Sequence, residues 1–311
     1  MQKIASLSAI HYELGDPHKI DDLDFLAGDP EKLNMYKSSG LVHYRKTDLS
    51  VIDLCFNTIT KTLQHAAIEK DSIDILLFVA ENANDGNRIN AREANNLMLK
   101  LGLVNALPIG ISLSDCANIL TGLQMGASLV ASGAARNVLL ICVDKASPAP
   151  GAREVIGQMS VISDGAVSCI VSEPGKGDFD LSFITHKNKP SQWEMWRKPG
   201  DETAYSMEKF KAITKVGKRF LKQNALHPKD IKKIITGNYR ESISKMFIEI
   251  AGFNEQQGYF DNIPKFGHTL AGDVFINLKD YTDQVPLNSG EQIFLLVDSY
   301  SSCGSALLIK A

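Results

Sequence analysis

The chain has 311 residues, a net charge of −3 and 44% hydrophobic residues, which supplies a substantial core and gives no reason to invoke nucleic acid as a partner. Its five cysteines, Cys55, Cys116, Cys142, Cys169 and Cys303, form an odd set without CxxC pairing, the usage of a reducing compartment and not of a disulfide frame or zinc site. No stretch nears the roughly 18 apolar residues of a membrane span, and MQKIASLSAIHYELG holds too short an apolar run for a secretory signal, so a cytoplasmic protein is expected.

In chain order, Ile4 to His11 reads as a first strand. Leu49 to Ile68 has apolar residues at helical spacing, with Asp48 placed to cap it. Ile73 to Val79 (IDILLFV) is a continuous apolar run of strand length, and a helix fits Ala91 to Leu101. Ile109 to Leu113 then predicts a strand running into a tight corner at Ser114, Asp115 and Cys116. An almost wholly apolar helix follows, stopped by Ser132 and Gly133. A thiol at such a helix start meets unpaired N–H groups and the positive end of the helix dipole, which favour its thiolate. Cys116 is therefore the candidate nucleophile.

Val138 to Val143 and Ala166 to Val171 predict neighbouring strands. The second half repeats the order: helix at Tyr205 to Asn224, strand at Ile231 to Thr236, helix at Ile243 to Gly252, strands at Ile293 to Val297 and Ala306 to Ile309. The repeat holds at residue level, AAIEKDSIDILLF against NALHPKDIKKIIT, and VLLICV with DGAVSCIV against IFLLV with CGSALLI. Its period is far longer than the roughly 20 to 50 residues of a solenoid, so two similar halves layered on each other are expected. Between them Phe183 to Met207, with Pro190, Trp193, Met195, Trp196 and Pro199, reads as an insertion pinned by two tryptophans. Such a segment can also wall the cysteine.

The stretches SDCANILTGLQMGASLVASGAARNVLLICVD, ISDGAVSCIV, FKAITKVGKRFLKQNALHPKDIKKII and FGHTLAGD, taken together and in order, resemble the thiolase superfamily, and within it the condensing enzymes of the ketoacyl-acyl-carrier-protein synthase III type. The resemblance implies an α/β fold of five αβαβα layers in two pseudo-equivalent halves, 1–173 carrying the nucleophile and 174–311 carrying two further catalytic loops. It implies a dimer paired through the Ile109 to Leu113 strand, a heterodimer with a similar subunit being the variant form. No metal or cofactor is implied; the substrate is an acyl carrier protein or coenzyme A thioester.

By the resemblance, Cys116 takes the acyl group and passes it to a carbon nucleophile in a Claisen-type condensation of a specialised fatty acid-derived or secondary-metabolite pathway. The loops depart from the family pattern. Gly237 stands where the synthases' histidine is expected, with Asn238 one residue later, and His268 stands where their asparagine is expected. Cys116, Asn238 and His268 together resemble the thiolases, although Cys303 falls late for their second cysteine. Gly304 and Ser305 match a glycine loop beside the site; Trp193 and Trp196 contact substrate if the segment they pin walls the cysteine. Asp273 reads as a helix cap with orientation of His268 as its other role. The basic run Lys209, Lys215, Lys218, Arg219 and Lys222 is either a solvated face or a dock for an acidic carrier. Two further readings stand beside condensation: acyl transfer to a hydroxyl or amine, and a silent partner subunit of a ketosynthase.

Overall fold

The computed structural model describes residues 2–81, 89–195, 198 and 200–311. Apolar runs of strand length become strands buried on both faces, and amphipathic segments become helices that cover them. The first half contains β1 (Ala5–Leu14), β2 (Asp16–Lys19), α1 (Pro30–Ser38), β3 (His43–Lys46), α2 (Val51–His65), β4 (Ile73–Val79) and α3 (Ala91–Leu101). It continues through β5 (Leu107–Ile111), α4 (Asn118–Ala131), β6 (Asn137–Asp144) and β7 (Gly165–Ser172). The second half contains β8 (Phe179–Asn188), α5 (Ser191–Met195), α6 (Glu202–Asn224), β9 (Ile231–Ile235) and α7 (Glu241–Ile250). After α8 (Ile263–Phe266) and α9 (Asp273–Gln284), β10 (Gln292–Asp298) and β11 (Ser302–Lys310) finish it.

Nine strands form one mixed sheet in the order β5-β4-β6-β7-β1-β8-β11-β10-β9. The order β4-β6-β7-β1 of the first half is repeated, reversed about the β1–β8 junction, as β8-β11-β10-β9. A fifth strand to match β5 is reduced to one parallel bridge between Ile234 and Gly258. α4 and α9 contribute to a single core shared by both halves, with Leu120, Leu123, Phe275 and Ile276 packed among Leu77, Leu140, Leu295 and Leu308. Leu54, Ile59, Leu97 and Leu101 of α2 and α3 cover the other face of the first half. Ile213, Phe220, Phe247 and Ile248 of α6 and α7 do the same for the second. This is the thiolase-like α/β fold of five layers.

Several boundaries differ from expectation for local reasons. Ser50, and not Asp48, caps α2, its hydroxyl accepting from the Asp53 N–H at 3.1 Å. The segment expected as an insertion is mostly regular, because β8 runs on to Asn188 and α6 starts at Glu202. α4 is not buried all round: Gln124, Met125 and Ser128 face out. That exposed stripe lies on the helix that packs against β4 and β5, and β5 is an edge strand.

Candidate active site

The corner before α4 is held by its own side chains. Asp115 takes a left-handed φ of 49°, a conformation Asp tolerates at some cost and one that reappears at functional turns. Asn118 is fully buried; its amide oxygen accepts from the Ser114 N–H at 2.8 Å and its amide nitrogen donates to the Ala80 carbonyl at 3.2 Å. The corner is thereby tied to the C-terminal end of β4, and the residue after Ala80 is Glu81.

Glu81 is the principal addition to the expected site. Cys116 donates from Sγ to Glu81 Oε2 at 2.7 Å, across 35 residues of sequence. The Glu81 N–H is in turn fixed by Asp144 Oδ1 at 2.6 Å. Burial pushes the Glu81 carboxyl up to about 7, only partly countered by the cysteine hydrogen bond and His268. A signal for it exists in the sequence: ligands of open α/β sheets bind beyond the carboxyl ends of the parallel strands, and Glu81 is the first ionisable residue past β4.

His268 completes the group. Its Nε2 lies 3.4 Å from Cys116 Sγ and its Nδ1 lies 2.5 Å from Asp273 Oδ2. The backbone on both sides is anchored, His268 N donating to Val161 O at 2.9 Å and Ser163 N donating to His268 O at 2.8 Å. Gly267 is required there, because its φ is +55° and a Cβ would fall 2.7 Å from Val161 O. Burial alone would lower the His268 pKa, but the Asp273 carboxylate overcomes it and the net direction is upward. Asp273 is thus more than a cap. Besides His268 it accepts from Thr269 N at 2.6 Å, Thr269 Oγ1 at 2.5 Å and Asn238 N at 2.6 Å.

These contacts correct the expected state of the nucleophile. Burial first, then the neighbouring Glu81, raise the Cys116 thiol well above its ordinary range. The short turn Asp115–Ala117 before α4 does not outweigh them, so the resting group is a thiol with two bases beside it. The cavity on which Cys116, Glu81 and His268 open has a volume of about 330 Å³, within the range of small-molecule sites. Its wall is largely apolar, with Met159, Ile162, Phe210, Met246 and Leu270 among its residues.

The other expected site residues fall elsewhere. Asn238 is buried, but its Oδ1 accepts from Asn277 Nδ2 at 2.9 Å, and among the described residues its Nδ2 has no partner. Among the described residues it is the next one, Tyr239, that lines the cavity, its ring 5.0 Å from that of His268. Gly304 and Ser305 lie inside β11, paired with His186 and Thr185 of β8, so they do not reach substrate space. Ser299 and Tyr300, just before that strand, do. Trp193 packs edge-on against Tyr300 at 5.3 Å and backs the wall without lining it. Trp196 lies outside the described residues. Cys303 is buried in β11.

Lys209 is not a docking residue. It lies on the buried face of α6, its Nζ 2.7 Å from Asp298 Oδ2. Lys215, Lys218, Arg219 and Lys222 are exposed on the same helix. Among the described residues no cluster of His, Cys, Asp and Glu is arranged to hold a metal ion, and no helix is long and apolar enough to cross a membrane.

Residues 113–188 match the family model for 3-oxoacyl-[acyl-carrier-protein] synthase III. The chain is 24% identical over 257 residues to a beta-ketoacyl-[acyl-carrier-protein] synthase III of Chlamydia caviae, covering 76% of this chain and 75% of that one. It is 24% identical over 292 residues to one of Clostridium perfringens, covering 86% of each. In structure it superposes on ChlB3, an acyltransferase, with a TM-score of 0.84 at 16% identity, over 98% of this chain and 97% of that one. The 3-oxoacyl-[acyl-carrier-protein] synthase III of Aquifex aeolicus gives 0.81 at 18% identity, over 98% and 99%. OleA of Xanthomonas campestris, as its E117A variant, gives 0.82 at 13%, over 99% and 98%.

Proposed function

We propose that this chain, a ketoacyl synthase III-like protein of the thiolase superfamily, moves an acyl group from a carrier-protein or coenzyme A thioester through Cys116 to a carbon nucleophile without decarboxylation. The observation that carries this reading is the Glu81 carboxyl 2.7 Å from Cys116 Sγ. In loading, Sγ attacks the thioester carbonyl, the thiol proton passes to Glu81 or His268, and the departing donor thiol takes a proton back. In transfer, the Glu81 carboxylate removes a proton from the α-carbon of the second substrate. The resulting carbanion attacks the acyl carbonyl, and Cys116 leaves as a thiolate that takes the proton from Glu81, which returns to the carboxylate.

Decarboxylation would make its own carbanion and needs no base. It asks for two donors on the enolate oxygen, and Asn238 is turned to Asn277. A malonyl carboxylate would also meet Glu81 at the reacting centre, and like charges in a buried site repel. The test is to give the native protein an acyl thioester and then malonyl carrier protein, and separately to hold acetyl-N-acetylcysteamine with it in deuterium oxide. Deuterium should enter the α-position without carbon dioxide release. Release of carbon dioxide at the rate of product formation would overturn the reading.

A second reading, transfer to a hydroxyl or amine, is favoured by the run Cys116, His268, Asp273, which suits deprotonation of a heteroatom acceptor. Acyl-enzyme formation with no deuterium incorporation would select it. The ionisable groups gathered at Cys116 argue against a catalytically silent subunit.

For the donor, the exposed Lys215, Lys218, Arg219 and Lys222 continue the helix whose inner face walls the cavity, which suits an acidic carrier. The double variant Lys218→Glu/Arg219→Glu should raise KM for a carrier-protein thioester about 10-fold and leave that for the N-acetylcysteamine thioester unchanged. Equal effects on both would remove the helix from docking. The apolar side chains of Leu107, Leu113 and Met125, exposed by 59%, 96% and 42% beside the β5 edge, support pairing of two copies there.

A further inference from the structure

The cavity contains an ion pair that acyl transfer does not use. Lys209 and Asp298 face each other at 2.7 Å with side-chain exposures of 8% and 4%, and both line the chamber that holds Cys116 and His268. A buried pair of this kind gains little net stability, since the attraction between the charges is offset by their loss of water. A hydrophobic pair would fill the space as well. Among the described residues its partners are also incomplete. The ammonium has three donors; Asp298 takes one and the Tyr205 side chain, whose ring lies 5.1 Å from Nζ, engages at most another. Asp298 Oδ2 accepts from Lys209, and among the described contacts its second carboxylate oxygen accepts from no side chain. The Asp298 carbonyl is held by Tyr239 Oη at 3.0 Å, which fixes the residue beside the His268 ring.

We propose that Lys209 and Asp298 form a specificity site for a neutral oxygen function, a hydroxyl or ketone, carried by the substrate at a distance from its reacting carbon. A hydroxyl satisfies both partners at once, accepting from Lys209 and donating to Asp298, and a ketone satisfies the first. A plain alkyl chain leaves both unpaired against hydrocarbon, and a site built for a polar group rejects an analogue that lacks it. A carboxylate is disfavoured because Glu81 and Glu202 line the same cavity as Asp298, against Lys209. The proposal rests on this cavity being the substrate chamber of the reaction above.

The test measures binding without turnover, so that it stands or falls apart from the transfer chemistry. Cys116→Ala protein is titrated calorimetrically with N-acetylcysteamine thioesters of hexanoate, of its 3-, 4- and 5-hydroxy and oxo congeners, and of adipate. At least one oxygenated chain should bind about 10- to 100-fold more tightly than hexanoyl, and adipoyl no better than hexanoyl. In the Lys209→Met/Asp298→Leu background, with folding checked by thermal melting, that preference should vanish or invert. Equal binding of hexanoyl and all oxygenated congeners to the Cys116→Ala protein would overturn the proposal, even if the double variant did not fold. So would a preference that the folded double variant retains. A native protein that forms no acyl adduct would count against the transfer reading alone.

Discussion

Cys116→Ala protein is expected to gain no mass when incubated with acyl thioesters that add one acyl group to the native chain, as read by intact mass spectrometry. The expectation follows from placement. Cys55, Cys142, Cys169 and Cys303 are enclosed and held as thiols by burial, so of the five cysteines Cys116 alone combines access to the chamber with adjacent bases. Because Cys116 rests as a thiol, loading depends on proton removal in the complex. His268→Ala should therefore slow adduct formation about 10²- to 10⁴-fold. Asp273→Asn should give a smaller loss in the same direction, since it keeps a carbonyl oxygen for Thr269 but no longer favours the imidazolium. Iodoacetamide should alkylate Cys116 slowly at neutral pH and faster as pH rises. An acyl adduct on Cys116→Ala, or normal loading by His268→Ala, would remove these residues from their roles.

Much of the architecture was legible because burial writes itself into period and run length. Ile73–Val79 could be read to the residue, and the match of its half to the later one announced the duplication. β8 is hard to read because Phe179–Asn188 carries a buried charge, Asp180, among its apolar residues and ends in the polar run His186–Asn188, and it follows a glycine-rich link that reads as loop. Cys116 stands out in the sequence from its strand-to-helix corner, whereas His268 stands out only through the family resemblance, because a lone histidine in a glycine-flanked loop reads as a packing or surface residue. Glu81 has only its place as the first ionisable residue past β4 to mark it, since a single carboxylate after a strand has no spacing that points to a role. Only the pairing of β4 with β6, and the Asn118 clasp on Ala80, bring it to the cysteine.

Lys209 is a different kind of miss. Counting along α6, Lys211, Lys215, Lys218 and Lys222 recur at helical spacing on one side, while Lys209 falls in register with Ala212, Ile213, Val216 and Phe220. Periodicity therefore assigns it to the buried face. Composition, read as a basic run, does not. Asn238 shows the limit of reading a loop by its neighbours, because one residue of offset carries a side chain to the other face, and Tyr239 took the cavity position instead.

Glu81→Gln is expected to separate the two halves of the reaction. Loading should survive, because His268 Nε2 still faces Sγ at 3.4 Å. Transfer should fall about 10²- to 10⁴-fold, the range for loss of a general base. In the native protein the transfer rate should rise with pH through about 7, since burial has pushed the Glu81 carboxyl to about 7 and only the carboxylate accepts a proton. That limb should be absent from the variant. The same burial acts on stability with the opposite sense. A carboxyl raised on folding from 4.5 to about 7 contributes stability that is whole below 4.5 and is lost as pH rises through 7. The loss amounts to about 3 kcal/mol by about pH 8. Glutamine has no proton to lose, so the variant should melt above the native protein at about pH 8, with the difference shrinking toward about pH 4. A variant that transfers at the native rate would take Glu81 out of the mechanism, and one that melts lower at the higher pH would contradict the buried carboxylate from which the mechanism starts.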